Sequence, residues 1–223
     1  MDFSNPIGLV VLSGLIALIP LTLALGTSYV KVSVVLGLLK SGLGVQQVPG
    51  PIVTMALALS LSVFIMAPVF NKSTESLDVI PKFSTSRLPT KAEIEKLAPV
   101  IKPWKEFMFK HCGERELQLF SMFDNKENKQ DLPEVKNLNA QTSLRILAPA
   151  FLLTELKEAF VMAFILLIPF LVIDLIVANI LVGMGMFMVS PVLISLPLKL
   201  LLFVISDGWM ILIKSLISSY AGG

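Results

Sequence analysis

A single cysteine, Cys112, and a single histidine, His111, are all that the chain offers of thiolate and imidazole ligands. One cysteine forms no intrachain disulfide, so no disulfide framework is implied even where that stretch faces an oxidising compartment. The adjacent His-Cys pair falls short of a tetrahedral metal site, and both read as ordinary residues of a small fold. Charge is scarce too: Asp, Glu, Lys and Arg make up 15% of 223 residues, with a net charge of +2. Most of it lies in one place, since residues 71–158 hold 14 of the 18 Lys/Arg and 13 of the 16 Asp/Glu. These alternate in sign, which leaves no basic stripe of the kind that binds nucleic acid. Glycine-rich phosphate loops, zinc ligand sets, nucleophile–base pairs at helical spacing and carboxylates beside a positioned histidine are all missing. The expectation is a protein without catalysis, cofactor or metal.

What is abundant is apolar surface. Hydrophobic residues make up 55% of the chain and the mean hydropathy is +0.82, far from the mixture of a soluble domain. A polytopic membrane protein is expected. The start, Met-Asp-Phe-Ser-Asn-Pro, lacks the positive region of a cleaved signal, so the run over 7–25 is expected to be retained as a first helix, bent near Pro20. Residues 28–40 continue in helical pattern with Lys31 and Lys40, read as snorkelling to an interface. A short connection with Gln46 and Gln47 follows, and 52–70 form a second apolar run. Lys31 and Lys40 lie in the sole short connection of net positive charge, which places 41–51 on the cytoplasmic side and the termini and 71–158 on the periplasmic side.

The middle of the chain has soluble composition and recurring proline (Pro81, Pro89, Pro99, Pro103, Pro133), which limits helices to short pieces. Ile94, Leu97, Ile101, Trp104 and Met108 recur at three- and four-residue spacing, the pattern of an amphipathic helical region kinked at Pro103. A second short helix is expected over 114–123, a polar turn over 124–130, and loop over 133–143. The organisation is thus 1–70 as N-terminal hydrophobic helices, 71–150 as a small, mainly helical domain for packing or docking, and 151–223 as a C-terminal helical hairpin.

That hairpin contains the stretch around which the chain is organised. The third apolar segment is expected to begin with Thr154 as N-cap, bend at Pro169 and end near Gly183. A fourth, 192–217, carries Lys199 near its start and Asp207-Gly208-Trp209 in its middle. Between them Gly183 and Gly185 loosen the first helix, and Pro191 and Pro197 set where the second begins. The turn itself holds Met184, Met186, Phe187 and Met188, which no water-exposed loop would carry. Asp174, Lys199 and Asp207 are ionisable groups at membrane depth. Asp174 and Lys199 lie about 20 Å and 18 Å along their helices from the turn centre, level in an antiparallel hairpin. Three readings follow: an ion pair that fixes hairpin register, a proton or ion relay, or pairing between subunits with Lys199 reaching Glu155 or Asp174 of a neighbour.

The blocks Gly26-Thr27-Ser28-Tyr29-Val30-Lys31, Leu43-Gly44-Val45-Gln46-Gln47-Val48-Pro49, Phe64-Ile65-Met66-Ala67-Pro68, Glu155-Leu156-Lys157-Glu158-Ala159-Phe160, Ile168-Pro169-Phe170-Leu171-Val172-Ile173-Asp174-Leu175, Gly185-Met186-Phe187-Met188-Val189-Ser190-Pro191, Ile194-Ser195-Leu196-Pro197-Leu198-Lys199 and Asp207-Gly208-Trp209 resemble the FliP/SctR (YscR) family. Its members are core inner-membrane proteins of the type III export apparatus of flagella and injectisomes. The resemblance spares only about 71–145.

It implies an all-α fold of membrane-type hairpins that assembles into a helical pentameric ring with SctS/FliQ-like and SctT/FliR-like subunits. It further implies that much of the apolar surface is buried by neighbouring subunits rather than by lipid. By resemblance, Met184, Met186, Phe187 and Met188 form the pore gasket that shuts the channel until unfolded protein passes. Phe187 stands where the family commonly has another methionine, which makes the seal bulkier there. Glu155 and Lys199 are implied as an intersubunit ion pair, in competition with Asp174. The expected function is a channel subunit for unfolded proteins, of an injectisome because no leader is evident. A secondary transporter or ion channel using Asp174, Lys199 and Asp207 is the alternative.

Overall fold

The computed structural model describes residues 13, 14, 17, 26–45, 49–75, 98–128 and 142–221, the side chains of 124–128 excepted. All regular structure among them is helical: α1 (Tyr29–Leu43), α2 (Pro51–Thr74), α3 (Ala98–Lys110), α4 (Glu114–Asn128), α5 (Leu144–Gly183), α6 (Pro191–Ile205) and α7 (Gly208–Ala221). Most of the run over 7–25, together with Gln46, Gln47, Ile94, Leu97, Pro81, Pro89, Pro133 and most of the expected loop over 133–143, lies outside the described residues.

Two compact units divide the chain. One comprises Met1–Val30 with Val63–Glu155, the other Lys31–Ser62 with Leu156–Gly223. The first unit is built around Met66 and Val69 of α2, Phe107 and Met108 of α3, Leu117 of α4, and Leu147, Ala150 and Phe151 of α5, all buried. Phe107 packs edge-on against Phe151 at 5.9 Å, and Trp104 meets Phe70 at 5.5 Å, geometries in which ring edges face ring faces. Met108 of the expected amphipathic stripe is therefore core, and α3 runs through Pro103. Beyond it, α4 continues to Asn128, into the polar turn expected over 124–130.

Ser143 starts α5. Its carbonyl accepts the amides of Ile146 and Leu147 at 3.1 and 3.0 Å, and its hydroxyl accepts that of Arg145 at 3.3 Å, the bonding of an N-cap. Thr154, expected to cap this helix, instead lies inside it. The Thr154 hydroxyl donates back to the Ala150 carbonyl at 2.9 Å and accepts the Gly113 amide at 3.0 Å, fastening the turn between α3 and α4 to α5. Beside that joint, burial pushes the Cys112 thiol up to about 11; the Thr154 hydroxyl opposes the shift and Glu116 and Glu155 add to it.

At 40 residues, α5 is about 60 Å long, roughly twice the hydrocarbon thickness of a bilayer. Pro169 does not end it. Only 17% of its most apolar window is buried within the chain, so an all-round apolar helix of this kind needs lipid or neighbouring protein to cover it. Among the described residues α2 and α5 are long and apolar enough to cross a membrane, and a third span is available if α6 and α7 count as one broken helix.

In the second unit Val32, Val35, Leu36 and Leu39 of α1, Phe203 of α6, and Leu212, Leu216 and Tyr220 of α7 form the core. Lys31 corrects an expectation. Rather than snorkelling, it is fully buried, with its ammonium 2.7 Å from Glu158 Oε2 and 4.1 Å from the centre of the Tyr220 ring. A carboxylate and an aromatic face together replace the water that an interfacial lysine would keep.

The expected single helix over 192–217 is also corrected: α6 and α7 meet at a 63° bend. Asp207 sits at the break with φ 53, a left-handed conformation that aspartate tolerates better than most residues. Gly208 opens α7 against the Phe203 ring, where a Cβ would stand 2.3 Å from ring carbons. Pro197, expected to delimit α6, lies inside it; Pro191 alone stands at its first turn.

Candidate functional site

The last residues of α5 close in a defined stop. Met186 N–H donates to Leu181 O at 2.9 Å and Gly185 N–H to Val182 O at 3.0 Å, the paired bonds of a Schellman motif. Gly185 has φ +75, as that motif requires of the residue just past the helix. Val189 N–H reaches Met186 O at 3.4 Å, and Ser190 then leads into Pro191 and α6. Helix stop, turn and helix start are thus fixed by backbone chemistry, and the turn's side chains are left to project.

All of them project into open space. Met184 is 67% exposed, Phe187 77% and Met188 fully so, with Met186 at 39%. Val182, Val192 and Leu193 around them are exposed as well. A turn with four large apolar side chains and no hydrogen-bonding side chain before Ser190 has no use for water.

Below the turn, α5 and α6 are tied by polar groups. Asp174 Oδ2 lies 2.5 Å from Lys199 Nζ, and Ser195 Oγ donates to Asp174 Oδ1 at 2.5 Å. Lys199 is nearly buried and Ser195 wholly so, while the Asp174 side chain is 36% exposed. Lys199 Nζ also donates to Gly42 O at 3.2 Å, in the last turn of α1. There a cation satisfies an orphan carbonyl and the negative end of the helix. At Gly42 a Cβ would come within 1.9 Å of Leu167 Cδ2, so a larger residue there requires the Leu167 side chain to move. The end of α1 repeats the stop used in α5, with Val45 N–H on Lys40 O, Gly44 N–H on Ser41 O, and Gly44 at φ 79.

Of the residues singled out in the sequence, the structure brings Asp174 and Lys199 together within one chain. Glu155 is elsewhere, fully buried in the first unit. Asp207, expected among buried charges, is exposed and marks the bend. Ser195, Gly42 and the Lys31–Glu158 pair were not anticipated. Ser195 stands four residues before Lys199, the helical spacing that puts both on one face, and this signal was available.

A profile of the FliP family matches residues 12–216. The chain belongs to the FliP family. It is 39% identical to a flagellar biosynthetic protein FliP of Bacillus subtilis (strain 168), over 98% of this chain and 94% of that one. It is equally similar, at 39% over the full length of both chains, to Yop proteins translocation protein R of Yersinia pestis. Against the hypersensitivity response secretion protein HrcR of Ralstonia nicotianae the figure is again 39%, over 95% of this chain and 96% of that one. The match to the FliP family takes in α1, α2 and the whole hairpin from α5 to α6.

Proposed function

We propose that this FliP-family chain is a core subunit of a type III protein export gate, through which unfolded proteins leave the cytoplasm. Five copies form a ring with SctS/FliQ-like and SctT/FliR-like subunits in the bacterial inner membrane. Residues 71–150 form a domain on the periplasmic side, between the helices of 1–70 and the hairpin of 151–223. The proposal covers flagellum and injectisome alike, since relatives of both names stand at the same identity.

The observation that carries the reading is the apolar, exposed turn on a rigid hairpin. Met184, Met186, Phe187 and Met188 from several subunits would converge as a soft plug, which excludes water and ions by its apolar character and yields to a passing chain through the flexibility of thioethers. The Asp174–Lys199 pair, with Ser195 and Gly42 around it, holds the two helices in register and so sets the height of the turn. Glu155, a buried carboxylate of α5, holds subunits together. No catalytic step is asked of the chain; the energy for transport is supplied elsewhere in the apparatus.

A photo-crosslinking amino acid at position 187, in cells carrying a stalled export substrate, tests this reading. The expected result is an adduct with the substrate, and none from the same probe at Val161, which lies in α5 well before the turn. Adducts only with neighbouring copies of the chain, whether or not substrate is engaged, would contradict it.

A further inference from the structure

Within the second unit a cavity of about 600 Å³ is lined by α1, α2, α6, α7 and the connection between α1 and α2. Leu36, Val53, Leu57, Phe203 and Trp209 are typical of its walls, which are apolar but for Lys40 and Thr54. Its size is that of a ligand pocket, and it is a place where apolar surface and one fixed charge meet.

The charge is what singles this cavity out. Lys31 and Lys199 are each matched by a carboxylate, Glu158 at 2.7 Å and Asp174 at 2.5 Å. Lys40 is treated differently. Among the described residues its ammonium has two neutral acceptors, Pro49 O at 2.6 Å and Thr54 Oγ1 at 3.4 Å, and no carboxylate. The end of α1 therefore gathers two ammonium groups, Lys40 and Lys199, against the single carboxylate of Asp174. Part of that excess is met by the carbonyl end of the helix, whose half charge falls short of a full anion.

We infer that this cavity is a site for one anionic phospholipid, with its phosphate at the Lys40 ammonium and acyl chain along Leu36, Val53, Leu57 and Trp209. An apolar slot takes the chain, and a cation at its edge selects the headgroup, as basic pockets between membrane helices do for acidic lipids. The topology expected from the charges puts the 41–51 connection, and hence this end of α1, on the cytoplasmic side. The inference is independent of the gasket turn and of what passes through it.

Trp209 makes the test direct, because the only other tryptophan is Trp104. The full chain carrying Trp104→Phe is purified in a neutral detergent and titrated with phosphatidylglycerol or phosphatidylcholine brominated on the acyl chain, with Trp209 fluorescence as readout. The expected result is saturable quenching with phosphatidylglycerol preferred about fivefold over phosphatidylcholine, the discrimination one surface cation supplies. Lys40→Gln, which keeps a donor for Pro49 O, should abolish the preference, Lys40→Arg should restore it, and Val53→Phe should weaken both lipids by occupying the slot. Equal quenching by both lipids, unmoved by Lys40→Gln, would overturn the site in favour of a nonselective apolar face. Loss of quenching once the co-encoded partner subunits are bound would overturn it too, because a protein helix then fills the cavity.

Discussion

Asp174 and Lys199, 25 positions apart in the sequence, meet at 2.5 Å across the hairpin, with the lysine nearly buried and the aspartate about one-third exposed. Removing the two partners is therefore not equivalent. Asp174→Asn leaves an ammonium in apolar surroundings, whereas Lys199→Met leaves a carboxylate that still reaches solvent. The first should lower stability by about 2–3 kcal/mol and the second by about 1 kcal/mol, discounted from fully buried pairs because Asp174 is partly hydrated. Thermal unfolding of the detergent-solubilised chain measures both. Native gels of the assembled complex should show loss of the ring for Asp174→Asn. An intact ring that no longer transports would instead point to an ion relay.

Asp207 carries φ 53 at the break between α6 and α7. Asparagine and glycine should be tolerated there within about 0.5 kcal/mol, while Asp207→Val should destabilise by about 1–2 kcal/mol, because a β-branched side chain crowds the left-handed backbone. Gly208→Ala should be at least as damaging, since its Cβ would stand 2.3 Å from the Phe203 ring. Unfolding midpoints for the four variants check the order.

Much of this architecture was legible, and the failures have physical causes. The helix stop at Gly183 to Gly185, the start at Pro191 and the level placement of Asp174 and Lys199 all follow from local rules, so the hairpin could be drawn from sequence. Ser143 is masked as the start of α5 by the polar segment around it, although serine just before an apolar run is a capping signal. The bend at Asp207 was hidden because no proline marks it; a left-handed aspartate before a glycine did. Lys31 has an interfacial pattern in the sequence because Glu158 is 127 positions away, and no local pattern announces a long-range pair.

Cys112 titrates far from the ordinary thiol range, at about 11 against 9.0 for a free side chain. At pH 8 the folded chain should be alkylated about 100-fold more slowly than the unfolded one, since the thiolate is the reactive form. Stability follows the same linkage: the protonated thiol is preferred in the fold, so its contribution is complete below pH 9 and declines as pH rises toward 11. Iodoacetamide labelling rates across that range, with and without denaturant, provide the measurement. A native midpoint near 9 would place Cys112 in water.

The proposed seal of the export channel is the turn at Met184, Met186, Phe187 and Met188. Its most direct test is ion and small-molecule leakage across the inner membrane of cells expressing the chain with its partner subunits. Wild type is compared with Met184, Met186 and Met188 all changed to Ala, after native gels establish equal assembly. A leak is expected in the triple variant and none in wild type. Equal permeability at equal assembly would contradict it and leave these side chains as packing for neighbouring subunits.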